Sequence, residues 1–147
     1  MRIFHFSSPD VIRKMLQDIG VDPYGIKIML PKSQAFLIRL NALNSIAANI
    51  LKQEMLSLGA EAAITRGALT KATQRTDVLM IGSLSQYKRL IQKIKLQPFG
   101  LANLSQELDA GIKNYNQDNF NLSLKESSLK LNTKTQIMGI INLTPDS

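Results

Sequence analysis

The stretch DVLMIGSLSQYKRLIQKI, residues 77–94, changes its period in the middle. Asp77 to Gly82 is an apolar run of strand length, which predicts a buried strand. From Leu84 onward the apolar residues fall at helical spacing: Leu84, Tyr87, Leu90, Ile91 and Ile94. That spacing predicts a helix over about 84–96, broken by Gln97-Pro98. A buried strand feeding directly into an amphipathic helix places the chain among folds that mix both elements.

The same reading extends upstream. Arg2 to Phe6 is read as a short strand. Ser8, Pro9 and Asp10 suit a helix start as N-cap, first position and first-turn acid. Val11, Ile12, Met15, Leu16 and Ile19 then form one face, and Gly20 stops it. Asp22 to Gly25 is read as a turn. Ile26–Leu30 and Ala35–Leu40 are read as two strands joined through residues 31–34 as a hairpin. Residues 44–58 form a helix with Ile46, Ala47, Ile50, Leu51, Met55 and Leu58 on one stripe, ended by Gly59. Ala60–Thr65 is a further short strand, and 65–76 a basic irregular loop. A last helix is predicted over 101–113.

Through residue 96 the order is β-α-β-β-α-β-β-α. It predicts an α+β protein, a two-layer sandwich of a mixed sheet with helices on one face. Within that class a ferredoxin-like split β-α-β arrangement is expected. The domain divides as 1–116, a linker at 117–121 rich in asparagine, and a segment at 122–147. In that segment Leu122-Ser123-Leu124 and Leu129-Lys130-Leu131 alternate like hairpin strands, and Gln136 to Ile141 reads as a buried strand.

Length and composition narrow the function classes. The 147 residues suffice for one domain with a real core. At 44% hydrophobic and 20% charged residues the chain is an ordinary globular sequence. No apolar run is long enough to span a membrane, and residues 1–10 lack a signal-peptide core. A cytoplasmic location is expected. With no cysteine and one histidine, His5, thiolate and multi-histidine metal sites are excluded. The net charge is +7, and it is concentrated: residues 66–95 carry seven basic side chains against Asp77 alone. Such an excess attracts phosphates or acidic surfaces, though a solvated charged face is the commoner meaning. Arg66, Lys71, Arg75, Lys88 and Arg89 are the candidate anion or partner contacts. Gly82-Ser83 could hold an anion at a helix start, but Ser83 reads first as a plain N-cap. Aromatic residues make up only 5%, and no RNA-binding aromatic pattern is present, so nucleic acid is not the expected partner.

Residues 137–147, IMGIINLTPDS, carry the most specific signal. A strand run delivers Asn142 to its end and a loop begins at Thr144. Met138 to Ser147 closely resembles the signature of dihydropteroate synthase, M-G-I-(L/I)-N-(V/L)-T-P-D-S. Residues 122–134 resemble the hairpin closing the bottom of that family's barrel. Residues 1–116, notably NILKQEMLSLGAEAAITRGAL at 49–69 and QPFGL at 97–101, resemble an amino-terminal extension found in some bacterial and archaeal members.

The resemblance implies a folate-pathway enzyme that condenses 6-hydroxymethyl-7,8-dihydropterin pyrophosphate with 4-aminobenzoate, assisted by Mg²⁺. It implies that Asn142 faces Mg²⁺ and pyrophosphate, and that Thr144, Pro145, Asp146 and Ser147 belong to the loop closing over the two substrates. The family's F-S-D-G-G, its later lysine and seven further strand–helix units are absent here, and such a barrel needs about 200 residues or more. These residues therefore represent a truncated TIM barrel start. No activity and no bound cofactor are expected of them alone. The partners implied are the rest of the synthase barrel and a second copy in a homodimer. The alternative is a basic binding module for RNA or a phosphorylated ligand.

Overall fold

The computed structural model describes residues 1, 3–4, 8–70, 72–131, 134–135 and 137–141. They form two compact units, Met1–Asp109 and Ala110–Ser147. The first contains α1 (Pro9–Asp18), α2 (Pro23–Ser33), β1 (Ala35–Asn44), α3 (Ser45–Ser57), β2 (Glu61–Ile64), α4 (Arg66–Leu69), β3 (Arg75–Ser83), α5 (Leu84–Ile94) and most of α6 (Leu101–Tyr115). The second begins within α6 and holds the hairpin β4 (Phe120–Ser123) and β5 (Ser128–Leu131). The mixed helix-and-sheet class is as expected.

The sheet of the first unit has the order β1-β3-β2. Both pairings are antiparallel, so the sheet is antiparallel rather than mixed at its ladders. β1 and β2 each oppose β3, so they run parallel to one another, joined by α3 with β3 seated between them. This is the split β-α-β arrangement, built with three strands.

Two expected strands are corrected. Ile26–Leu30 lies inside α2, and with it the hairpin to Ala35–Leu40 disappears. Asp22, read as a turn residue, is the N-cap: its Oδ1 accepts from the N–H groups of Tyr24 and Gly25, both at 2.9 Å. Pro23 then takes the first helical position, where its missing N–H costs nothing. Pro31 falls in the last turns and removes one hydrogen bond without stopping the helix. Of the expected first strand, Ile3 and Phe4 lie in no strand, while Arg2, His5 and Phe6 are outside the described residues. Residues 66–69 form α4 where an irregular loop was expected.

Most predicted helix ends hold. Ser8 Oγ accepts from the Val11 N–H at 3.3 Å, and Pro9 opens α1. The expected inward face of α1 is looser, since Val11 and Ile19 are exposed. Asn44 caps α3 through Ile46 N–H at 2.8 Å. Gly59, at φ +70°, follows the end of α3 in the left-handed conformation that glycine adopts without strain.

One face of the sheet is covered. Phe36, Ile38 and Leu40 of β1 are level with Gly82, Met80 and Val78 of β3, and Ala62 and Ile64 of β2 continue the rows. Val78, Met80 and Ala62 are buried, as are Ala47, Ala48, Leu51 and Met55 of α3 and Tyr87, Leu90 and Ile94 of α5. Each large apolar side chain so buried contributes about 1.5–3 kcal/mol before entropy is counted. Tyr87 meets Phe36 edge to face, its hydroxyl donating to the Phe36 carbonyl at 3.2 Å. Burial pushes the phenol's pKa well above its ordinary value.

In the second unit β4 and β5 pair antiparallel around the turn 124–127, as the alternation predicted. The described residues close no barrel. The strand expected over 136–141 does not form across 137–141, whose large apolar side chains are exposed. Strands exist by pairing, and among the described residues none pairs with this run.

Candidate functional site

The resemblance-based site residues, Asn142, Thr144, Pro145, Asp146 and Ser147, lie outside the described residues, as do Lys71 and His5. The remaining candidates belong to the basic segment. Arg66 opens α4 and is exposed. Arg75 opens β3 on the face of the sheet opposite Thr76, Val78 and Met80. Its Nη1 donates to the Ala42 carbonyl at 3.1 Å. Lys88 and Arg89 are exposed on α5, on the side away from Tyr87, Leu90 and Ile91. The structure therefore does not gather these cations. Arg75 is on the open side of the two layers and Lys88 and Arg89 are on the helical side. Lys93 is engaged with Glu54 of α3 and donates to Ser57 Oγ at 2.7 Å.

Gly82-Ser83 is likewise closed to an anion. Ser83 and Gln86 form a capping box, and the Leu84 N–H donates to the Gln34 carbonyl at 2.8 Å. Gln86 Nε2 reaches across to the carbonyls of Leu58 and Gly59, at 3.1 and 2.8 Å. The helix start is thus spent on holding α5 to the end of α3, as the N-cap reading of Ser83 required.

A polar cluster that sequence reasoning missed sits on the open side of the sheet. Between Leu40 and Leu43 the β1 register shifts by one residue, and Ala42 takes φ 51°. Asp77 faces this bulge. Its Oδ1 accepts from the Ala42 N–H at 3.0 Å, and its Oδ2 accepts from Arg39 Nη2 at 2.7 Å. The Ala42 N–H first, and the Arg39 guanidinium after it, hold the Asp77 carboxyl below its ordinary value. The one sequence clue was Asp77 itself, the lone acid in a basic stretch.

Beside that cluster the open face turns apolar. Leu37, Ile81 and Glu61 stand in one row, and Arg39, Leu79 and Ala63 in the next. Leu37 is 67% exposed and Ile81 45%. Among the described residues no three His, Cys, Asp or Glu side chains gather as a metal cluster, and no helix is long and apolar enough to cross a membrane.

No family model and no solved structure matches the chain. Named relatives do match. A bifunctional dihydropteroate synthase/dihydropteroate reductase of Helicobacter pylori is 36% identical over 140 residues, covering 95% of this chain and 33% of the relative. A probable bifunctional folylpolyglutamate synthase/dihydropteroate synthase of Halobacterium salinarum is 28% identical over 143 residues, covering 95% of this chain and 16% of the relative. A protein of the same description from Haloferax volcanii is 28% identical over 109 residues, covering 68% of this chain and 13% of the relative. The chain thus spans a third or less of the length of these relatives.

Proposed function

This chain is a dihydropteroate synthase-related polypeptide, and from that premise we propose that it serves as the amino-terminal part of such an enzyme: an accessory α+β region at 1–116 and the opening of the pterin-binding barrel at 122–147. The observation that carries the reading is what the relatives share. Their names agree on dihydropteroate synthase and differ in the second activity, reductase in one and folylpolyglutamate synthase in the other. A segment common to both over 95% of this chain goes with the shared activity rather than with either second one.

On this reading the complete enzyme joins 6-hydroxymethyl-7,8-dihydropterin pyrophosphate to 4-aminobenzoate with loss of pyrophosphate. Asn142 contributes a carboxamide oxygen at the pyrophosphate end, and Thr144 to Ser147 begin the loop that covers the substrates. Mg²⁺, when bound, neutralises charge on the departing pyrophosphate. A carboxamide oxygen suits so hard an ion, and as a single donor it leaves the other ligands to residues elsewhere. The 147 residues alone are read as an accessory region without turnover.

A synthase assay tests this. The chain by itself is expected to form no dihydropteroate. Continued by the remaining synthase sequence of the Helicobacter pylori relative, it is expected to turn over, with Asn142→Ala lowering kcat/KM by about 10- to 100-fold. Conversion by the 147 residues alone would overturn the accessory reading. The alternative of a nucleic-acid module loses its footing because Arg75 stands on the opposite side of the fold from Lys88 and Arg89. Steep salt-dependent RNA binding would restore it.

A further inference from the structure

We infer that the open face of the β1-β3-β2 sheet is the surface on which this region docks against the remaining polypeptide of the same synthase; this rests on the function proposed above. An antiparallel sheet with one solvated face ordinarily alternates apolar inward and polar outward. Here the outward rows break that rule at their centre. Leu37 of β1 and Leu79 and Ile81 of β3 all stand on the uncovered side, with Ala63 of β2 beside Leu79. The rows lie on three paired strands, so the surface is rigid before any partner arrives. One end is polar, set by the Arg39–Asp77 pair and by Arg75. Glu61 marks the β2 edge. An apolar centre with a polar border is the ordinary anatomy of a docking surface.

Size decides between occupants. Three strands about 4.8 Å apart and some six residues long present on the order of 300 Å². A stable association between separate molecules takes about 800 Å² from each partner. The face is too small to hold a second copy by itself. A partner on the same polypeptide escapes most of that requirement, because tethering supplies an effective concentration in the millimolar range. The relatives provide such a partner, since this chain spans only 33% of the Helicobacter pylori protein. The expected occupant is an amphipathic element laying apolar side chains over Leu37, Leu79 and Ile81, the usual way an apolar sheet face is covered.

The absence of cysteine from this chain allows a direct test. Ile81→Cys and, as control, Arg89→Cys are made in the 147-residue chain and in the same chain continued by the remaining Helicobacter pylori sequence. Thiol labelling at each position is followed by peptide mass spectrometry, and synthase turnover is read on the continued polypeptide. Circular dichroism checks that each variant is folded. Labelling at position 81 is expected to slow tenfold or more on continuation, with position 89 unchanged. Equal labelling at 81 in an active continued polypeptide overturns the surface assignment and leaves the proposed function standing. Equal labelling in an inactive one overturns both. Protection at 81 already present in the 147-residue chain and rising with its concentration would assign the face to a second copy instead.

Discussion

Asp77 and Tyr87 show how single side chains hold this fold at its two faces. Asp77 accepts the Ala42 N–H at the β1 bulge, so its ionised form is favoured by folding. A carboxyl lowered in this way adds stability above its ordinary value of 3.8 and loses it as pH falls through the lower, folded value. Thermal midpoints taken from about pH 5 down to pH 2.5 are therefore expected to fall more for the parent chain than for Asp77→Asn. Ala42 sits in the left-handed region at φ 51°. Ala42→Gly is expected to be tolerated. Ala42→Val should lower stability by about 1–2 kcal/mol, because a β-branched side chain crowds its own carbonyl there; urea unfolding measures both. Tyr87 is fully buried, and its hydroxyl has the Phe36 carbonyl. Tyr87→Phe is expected to cost about 1 kcal/mol by denaturant unfolding, and Tyr87→Ala about 3–5 kcal/mol.

At the scale of elements, α5 depends on a side chain that its own sequence hardly advertises. Ser83→Ala removes an N-cap worth about 1 kcal/mol. Gln86→Ala removes the other half of the capping box and also the two bonds to Leu58 and Gly59 at the end of α3. The larger loss in chemical unfolding is expected from Gln86→Ala, and equal losses would deny the bridge between α3 and α5. What was legible in the sequence was of this local kind: the period change at Gly82-Ser83, the caps Ser8 and Ser83, the alternation of β4 and β5, and most of the stripe of α3, from which Ile46 departs by being exposed while Ala48 is buried. What was not legible depended on pairing or on tertiary position. Asp22-Pro23 opens a turn or a helix with equal propriety. Ile26–Leu30 reads as a strand in the sequence because a short apolar run carries no period of its own. The cations at 66–95 are neighbours along the chain, yet strand alternation and the helical turn send Arg75 and Lys88 to opposite faces. Asn142 to Ser147, identified by resemblance alone, lie outside the described residues.

For the whole molecule, protection from solvent should follow β3. Hydrogen exchange is expected to be slowest in Val78 to Ile81, paired on both sides, and fastest across 137–141, which no described strand pairs. Comparable rates in the two stretches would contradict the strand order. That order also imposes a schedule on synthesis. β1 and β2 leave the ribosome first, but they are the two edges and do not touch each other in the ladder. Each waits for a strand that begins at Arg75. A nascent chain released at Gln74 is therefore expected to carry helix but no sheet in far-ultraviolet circular dichroism, and sheet signal should arrive with the residues up to Ser83. Until then the apolar sides of both edge strands stand open together. This is the interval in which the polypeptide is most exposed to wrong partners, and α3, already made and packed against both β1 and β2 in the finished fold, is the cover nearest to hand.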